Sequence, residues 1–214
     1  MIIEFDKFIS LLRDELKKPL PGNKAQFKMA PYERILKAAT IKLNPNPKLS
    51  AVLILFYPVS NNICTMLILR NTYKGVHSAQ IGFPGGKMEA GDADLEATAL
   101  REAHEEVGVK PNQVEIIGKL SDLYIPPSGY LVQPYIGYTN DKPNFIRDEN
   151  EVAQLIEVSA DTIMDESIVG KKKIQLGGSK LKIKYPFFDV NGHTVWGATA
   201  MMISELKAVI KNSQ

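Results

Sequence analysis

Glu102, Glu105 and Glu106 stand close together in a segment with strong helical character. At about 100° per residue, Glu102 and Glu106 project about 40° apart and Glu105 about 60° to their other side, so three carboxylates share one helical face. Like charges at these spacings destabilise a helix by a few tenths of a kcal/mol each, so the arrangement asks for a cation. Ligation by oxygen alone suits Mg²⁺ or Mn²⁺. Taken by themselves, the three read first as an ordinary solvated helix face with Arg101 as counter-charge. The turn Gly85-Gly86-Lys87 just upstream favours the site: glycines let a backbone bend sharply and approach a ligand, and these end a strand at the mouth of the acidic helix.

The acidic helix is expected from Ala93 to Val107, with Asp92 as N-cap and Gly108 as left-handed C-cap. Upstream, Ala51 to Tyr57 and Ile63 to Arg70 carry Val, Ile, Leu and Phe on either side of the turn signal Ser60-Asn-Asn62 and read as a β-hairpin. Further strands are expected at Val114 to Leu120, Tyr130 to Tyr138, Val152 to Val158, Lys172 to Leu176 and Leu181 to Val190, followed by a helix from about Ala198 to Ile210. The N-terminal part reads as an amphipathic helix, Ile3 to Leu16, then a short helix between Tyr32 and Ala39 and the loop Asn44-Pro-Asn-Pro47. Residues 1–48 form an accessory helical segment in this reading, and residues 49–214 the core domain. The Phe8, Leu11, Leu12 stripe of the first helix suits either a cap on the core or a homodimer contact.

The 214 residues are 44% apolar and 23% charged, which excludes a disordered chain and fits one elaborated domain. A net charge of +2 gives no electrostatic reason to expect nucleic acid or a membrane surface as partner, so the expected partner is a small molecule. Cys64 is the only cysteine, which rules out an internal disulfide and a cysteine-based zinc site, and on a buried strand it reads as an inert small hydrophobe. The longest apolar run, Ala51 to Tyr57, is far short of the roughly 20 residues of a spanning helix. Acids near Met1, where a secretory signal would carry bases, make the cytoplasm the expected location. Lys171 to Lys173 reads as a solvated turn between strands, and His104 as solvent-exposed. Trp196 reads as a packing residue and Gly197 as a point of close approach. Ser128-Gly129 sits in a Pro126-Pro127 turn with no Asp and His partners, so it is no hydrolase nucleophile.

Gly86 to Val109 resembles a Nudix box, whose pattern is Gly, five residues, Glu, seven residues, Arg-Glu, an apolar residue, any residue, Glu-Glu, any residue, Gly and an apolar residue. The second half matches at Arg101, Glu102, Ala103, Glu105, Glu106, Gly108 and Val109. In the first half Asp92 replaces Glu, and eight residues rather than seven separate it from Arg101. That departure resembles the coenzyme A pyrophosphatase branch, which is also similar at Leu67-Ile-Leu-Arg-Asn-Thr72, at His77, Gln80 and Ile81, at Phe83-Pro-Gly-Gly86 and at Tyr185 to Ala200. The branch's signature arginine falls on Gly75 and its glycine on Ala79, so a phosphate contact must come from elsewhere, with Arg70 and Lys74 as candidates.

The resemblance implies an α/β fold, a Nudix-type α/β/α sandwich with a mixed β-sheet. It implies a pyrophosphohydrolase using Mg²⁺ or Mn²⁺, held by Glu102, Glu105, Glu106 and the Gly86 carbonyl. Arg101 would orient the carboxylates, an activated water would attack one phosphorus in line, and the base would be Glu105 or, second, Glu151. Arg70, Lys74, His77 and Lys87 are the candidates for substrate contact; His77 could instead hold the loop before Gln80. The implied substrate is a nucleoside diphosphate derivative, coenzyme A or an acyl-coenzyme A above all. Alternatives are ADP-ribose, NADH or a dinucleoside polyphosphate, or a catalytically silent domain that binds a nucleotide as a sensor.

Overall fold

From Ala51 to Tyr57 the side chains are apolar at every position, and both sets of alternate residues are buried. Such a strand needs cover on two sides, and the chain supplies it. The computed structural model describes residues 4–37, 44–72, 80–175 and 182–213. Within them the first strand, β1 (Lys48–Val59), turns back into β2 (Asn62–Arg70) as the expected antiparallel hairpin. β3 (Ile81–Gly82) and β4 (Gly85–Lys87) follow, each very short, pairing with β2 and β1. Beyond the long helix α4 (Leu95–Val107) come β5 (Glu115–Lys119), β6 (Leu123–Ile125), β7 (Tyr130–Tyr138) and β8 (Val152–Ser159). β7 runs parallel to β1, and the other strand pairs of the sheet are antiparallel, so the eight-stranded sheet is mixed.

Val52, Ile54 and Phe56 of β1 face α1 (Phe5–Leu16) and α6 (Gly197–Ser213) in one core; Ala51, Leu53, Leu55 and Tyr57 face Ala99, Ala103 and Val107 of α4 in the other. This is the expected α/β/α sandwich around a mixed sheet. Between β8 and α6 lie a short helix, α5 (Ala160–Met164), and a separate antiparallel sheet of β9 (Val169–Gln175), β10 (Lys182–Val190) and β11 (His193–Trp196).

At the N-terminus, α1 buries Phe8 and Leu12 in the core, so its apolar stripe caps the sheet, with Leu11 half-buried at its edge. α2 (Asn23–Gln26) and α3 (Tyr32–Lys37) continue the segment. Glu205 of α6 is fully buried and fastens the segment down. It accepts the Gly22 N–H at 3.0 Å, the Ser121 N–H at 3.3 Å and the Gln26 side-chain amide at 2.8 Å.

Several expectations need correction. Lys171 to Lys173 lie exposed inside β9, as the strand expected from Lys172 has them and not in the solvated turn also read there; Leu176, the expected end of that strand, lies outside the described residues. Gly197 has open space around it; its φ of +65° at the start of α6, a left-handed conformation, accounts for glycine there. Trp196 packs as expected, its ring 5.0 Å from that of Tyr185. Cys64 is buried and His104 exposed, both as expected.

Candidate active site

The turn between β3 and β4 has little freedom. Gly85 holds φ +153°, and a Cβ there would lie 2.3 Å from the Ala51 carbonyl oxygen. A Cβ on Gly86 would lie 2.4 Å from the Glu102 carboxylate. Glycine at both positions lets the turn lie against β1 on one side and against the acidic face of α4 on the other. Backbone bonds seal this junction, with Leu53 N–H donating to the Pro84 carbonyl at 2.8 Å and Met88 N–H to the Leu49 carbonyl at 3.0 Å.

α4 begins two residues later than its sequence suggests. Asp94, and not Asp92, is the N-cap, its carboxylate accepting the Ala97 N–H at 2.8 Å. Gly108 closes the helix at φ +76°, as expected. Asp92 is thereby freed for a different task. It accepts from Arg101 Nε at 2.8 Å and Nη2 at 3.0 Å, from the Glu89 N–H at 2.9 Å and from the Thr98 hydroxyl at 2.9 Å. These bonds, those from Arg101 foremost, hold its carboxyl well below the usual carboxylate range. In return Asp92 holds Arg101 firmly protonated.

Anchored on Asp92, Arg101 reaches three more groups: Glu105 at 2.8 Å, Glu102 at 3.0 Å and the Lys87 carbonyl at 3.0 Å. One guanidinium thus joins the glycine turn, the acidic face and the insertion between them. Arg101 stands beside the carboxylates as expected, and its anchor, Asp92, was expected as the helix cap instead. The available signal was the second aspartate, Asp94, which supplies a cap and leaves Asp92 over.

The three glutamates share the face as expected but differ in depth. Glu105 is 55% exposed at its side chain, Glu102 13% and Glu106 1%. Glu106 Oε2 accepts the Gly85 N–H at 2.8 Å. Its Oε1 lies 2.8 Å from Arg70 Nη1, a charge contact without hydrogen-bond alignment, so this buried oxygen has no hydrogen-bond donor. Burial pushes the Glu106 carboxyl up to about 7 against the pull of Arg70 and of the Gly85 N–H, with Glu102 and Glu151 adding like-charge repulsion. Burial also raises Glu102, and Arg101 opposes it.

Arg70, expected at the substrate, turns its guanidinium onto the site itself, bonding the Gly85 carbonyl as well as meeting Glu106. Glu151 stands exposed in a turn that two ties hold beside this centre: its carbonyl accepts the Asn71 N–H at 2.8 Å, and Asp148 N–H donates to the Glu106 carbonyl at 3.0 Å. Lys87 is exposed at the end of β4. Lys74 and His77, together with Gly75 and Ala79, lie outside the described residues.

The donor chemistry fits a hard divalent cation. The side chains are carboxylates, one buried oxygen lacks a donor, and a cation makes no demand for a donated hydrogen. Among the described residues no three carboxylates, histidines or cysteines converge on a single point, and Arg101 and Arg70 already supply counter-charge to the glutamates.

A glycine turn packed on the acidic face of a helix, on one edge of a mixed sheet between helical layers, defines a class of protein. The chain belongs to the Nudix family: the NUDIX domain profile matches residues 47–173. It is a Nudix hydrolase, of a family that acts on pyrophosphate bonds of nucleoside diphosphate derivatives and generally uses divalent metal ions. It is 35% identical over 145 residues to the uncharacterized Nudix hydrolase NudL of Enterobacter sp. (strain 638), covering 66% of this chain and 72% of that one. The corresponding protein of Yersinia enterocolitica is 33% identical over 141 residues, covering 66% and 71%. Among solved structures, the Nudix hydrolase RenU of M. smegmatis superposes with a TM-score of 0.54 at 15% identity, over 78% of this chain and 87% of that one, a likeness of fold. Among the described residues no helix is long and apolar enough to cross a membrane.

Proposed function

We propose that the protein hydrolyses the diphosphate of coenzyme A or of an acyl-coenzyme A, giving 3',5'-ADP and 4'-phosphopantetheine or its acyl thioester. The observation that supports the hydrolytic centre is the buried Glu106 carboxylate, fixed on the Gly85 N–H and set beside Glu102 at the glycine turn. Support for the substrate is the similarity to the coenzyme A pyrophosphatase branch at Phe83-Pro-Gly-Gly86 and at Tyr185 to Ala200, with the Asp92 form of the box. Residues 49–214 are read as the hydrolase domain and residues 1–48 as an accessory segment.

Mg²⁺ or Mn²⁺, held by Glu102, Glu105 and Glu106 with the Gly86 carbonyl, would neutralise the diphosphate and the charge that develops on the leaving phosphate. The chain's own groups do the rest. Arg101, locked on Asp92, sets the rotamers of Glu102 and Glu105. Glu105 is the first candidate to take the proton of the attacking water, because it is the solvent-facing member of the three. Glu151, exposed on the turn tied to α4, is the second. Arg70 acts as a positioning residue for Glu106 and Gly85, which leaves the exposed Lys87, with Lys74 and His77, for the substrate's phosphates.

Product analysis with Mg²⁺ or Mn²⁺ against coenzyme A, acyl-coenzyme A, ADP-ribose, NADH and diadenosine polyphosphates tests the reading. Selective release of 3',5'-ADP from the coenzyme A compounds is the expected result. Preference for another diphosphate would move the substrate to that class, in keeping with Gly75 and Ala79 in place of the signature residues. Tight nucleotide binding without cleavage of any of them would make the domain a sensor.

A further inference from the structure

Arg34 sits on α3, upstream of the residues the family profile matches. Its Nη2 donates to the Tyr124 carbonyl at 2.6 Å, while its Nε is buried with no hydrogen-bond partner. Among the described residues no carboxylate forms an ion pair with it. Burial presses its pKa down. A desolvated guanidinium without a counter-ion is unfavourable, and one carbonyl offsets little of that. The planar fork that remains is the geometry that grips a phosphate with two parallel hydrogen bonds.

Its position relates it to the candidate active site. Tyr124 of β6 pairs with Leu131 of β7, Leu131 with Leu49 of β1, and the Leu49 carbonyl accepts the N–H of Met88, which directly follows β4. This row crosses the sheet from Arg34 to the glycine turn, and three strand spacings make it about 14 Å long. An extended nucleotide with its diphosphate at the glycine turn covers that span. The next row, Ile125, Tyr130 and Lys48, adds a second cation, the exposed Lys48, whose Nζ lies 5.6 Å from the centre of the Tyr130 ring.

We propose that Arg34, assisted by Lys48, forms an anion subsite for a phosphate monoester on the nucleotide half of the substrate. That group separates a 3'-phosphorylated nucleotide, such as the one in coenzyme A, from the plain ADP moiety of ADP-ribose or NADH. The placement of the nucleotide rests on the diphosphate hydrolase reading; the binding of the anion does not.

Calorimetric titration of the full-length protein in chelator, with adenosine 3',5'-bisphosphate and with adenosine 5'-monophosphate, tests it. The wild type should bind the bisphosphate about tenfold more tightly. Arg34→Gln should bring that ratio close to one, leave the monophosphate affinity unchanged and not lower the thermal midpoint. Equal affinities in the wild type, or a preference that survives in Arg34→Gln, overturn the proposal. If the glutamine variant does not fold, Arg34→Lys, which keeps the charge and loses the fork, should forfeit several-fold of the preference, and an unchanged ratio overturns the proposal. A preference that depends on Arg34 in a protein unable to cleave coenzyme A would sink the proposed function and leave this subsite standing. Cleavage of coenzyme A with no dependence on Arg34 would do the reverse.

Discussion

Glu106 is held where a carboxylate is least at ease, 1% exposed with two other glutamates in its field, and only one of its oxygens receives a hydrogen bond. Its carboxyl at about 7 lies above the 4.5 of a glutamate in the unfolded chain, so the folded, metal-free protein holds that proton more tightly. The contribution to stability is therefore full below pH 4.5 and is lost as the pH rises through 7, by up to about 3 kcal/mol. Urea unfolding in chelator should accordingly show Glu106→Gln gaining on the wild type between pH 5 and pH 8; a difference independent of pH would contradict this. The two aspartates before α4 separate just as cleanly. Asp92→Asn frees Arg101 and should lower turnover at least tenfold, whereas Asp94→Ala removes a cap, with a cost of about 1 kcal/mol in stability and little in rate. Equal losses of rate in the two variants would show that Asp92 does not act through Arg101. Composition could not tell these two acids apart, since either can cap a helix; the fold chose by placing Arg101 next to Asp92.

At the scale of elements, glycine turn and acidic helix behave as one unit. Gly86→Ala puts a methyl group into the Glu102 carboxylate, so it should abolish most turnover while the protein stays folded. Gly85→Ala meets the backbone of β1 at a left-handed φ and should destabilise the whole sheet, giving low yields or an early thermal transition. A Gly86→Ala enzyme with normal kcat and KM would separate the turn from the chemistry. β7 matches its expected span, Tyr130–Tyr138, and β1, β2, α4 and α6 sit within a few residues of theirs, because long apolar periods declare themselves. β3, β4 and β6 have two or three residues each and no period to read; they are strands because β2, β1 and β7 offer free edges at those points. The acidic face was thus legible at α4, whose carboxylates repeat at helical spacing, whereas nothing in the sequence near Arg34 announces its bond to the Tyr124 carbonyl of β6, 90 residues away.

On the scale of the molecule, the two ends of the chain meet at Glu205. Glu205→Ala would leave the Gly22 and Ser121 N–H groups without an acceptor and the Gln26 amide with the Ser121 carbonyl alone, at a cost of about 2–5 kcal/mol. Residues 4–37 should then exchange their amide hydrogens faster than the sheet does, and Glu205→Gln, which keeps one acceptor, should recover part of the loss. Uniform exchange across the molecule in Glu205→Ala would mean that the segment is held by its apolar contacts alone. Packed in this way, the N-terminal segment brings Arg34 to the edge of the same sheet that carries the glycine turn. The proposed function has this turn and helix cleave the diphosphate of coenzyme A. The most direct measurement is the rate of coenzyme A breakdown in Mg²⁺, with products resolved by mass, for the wild type beside the double variant Glu102→Gln and Glu106→Gln. The wild type should give 3',5'-ADP and 4'-phosphopantetheine, and the variant a rate at least about a thousandfold lower. Intact coenzyme A in the presence of an enzyme that cleaves ADP-ribose or NADH, or an unimpaired double variant, would contradict it.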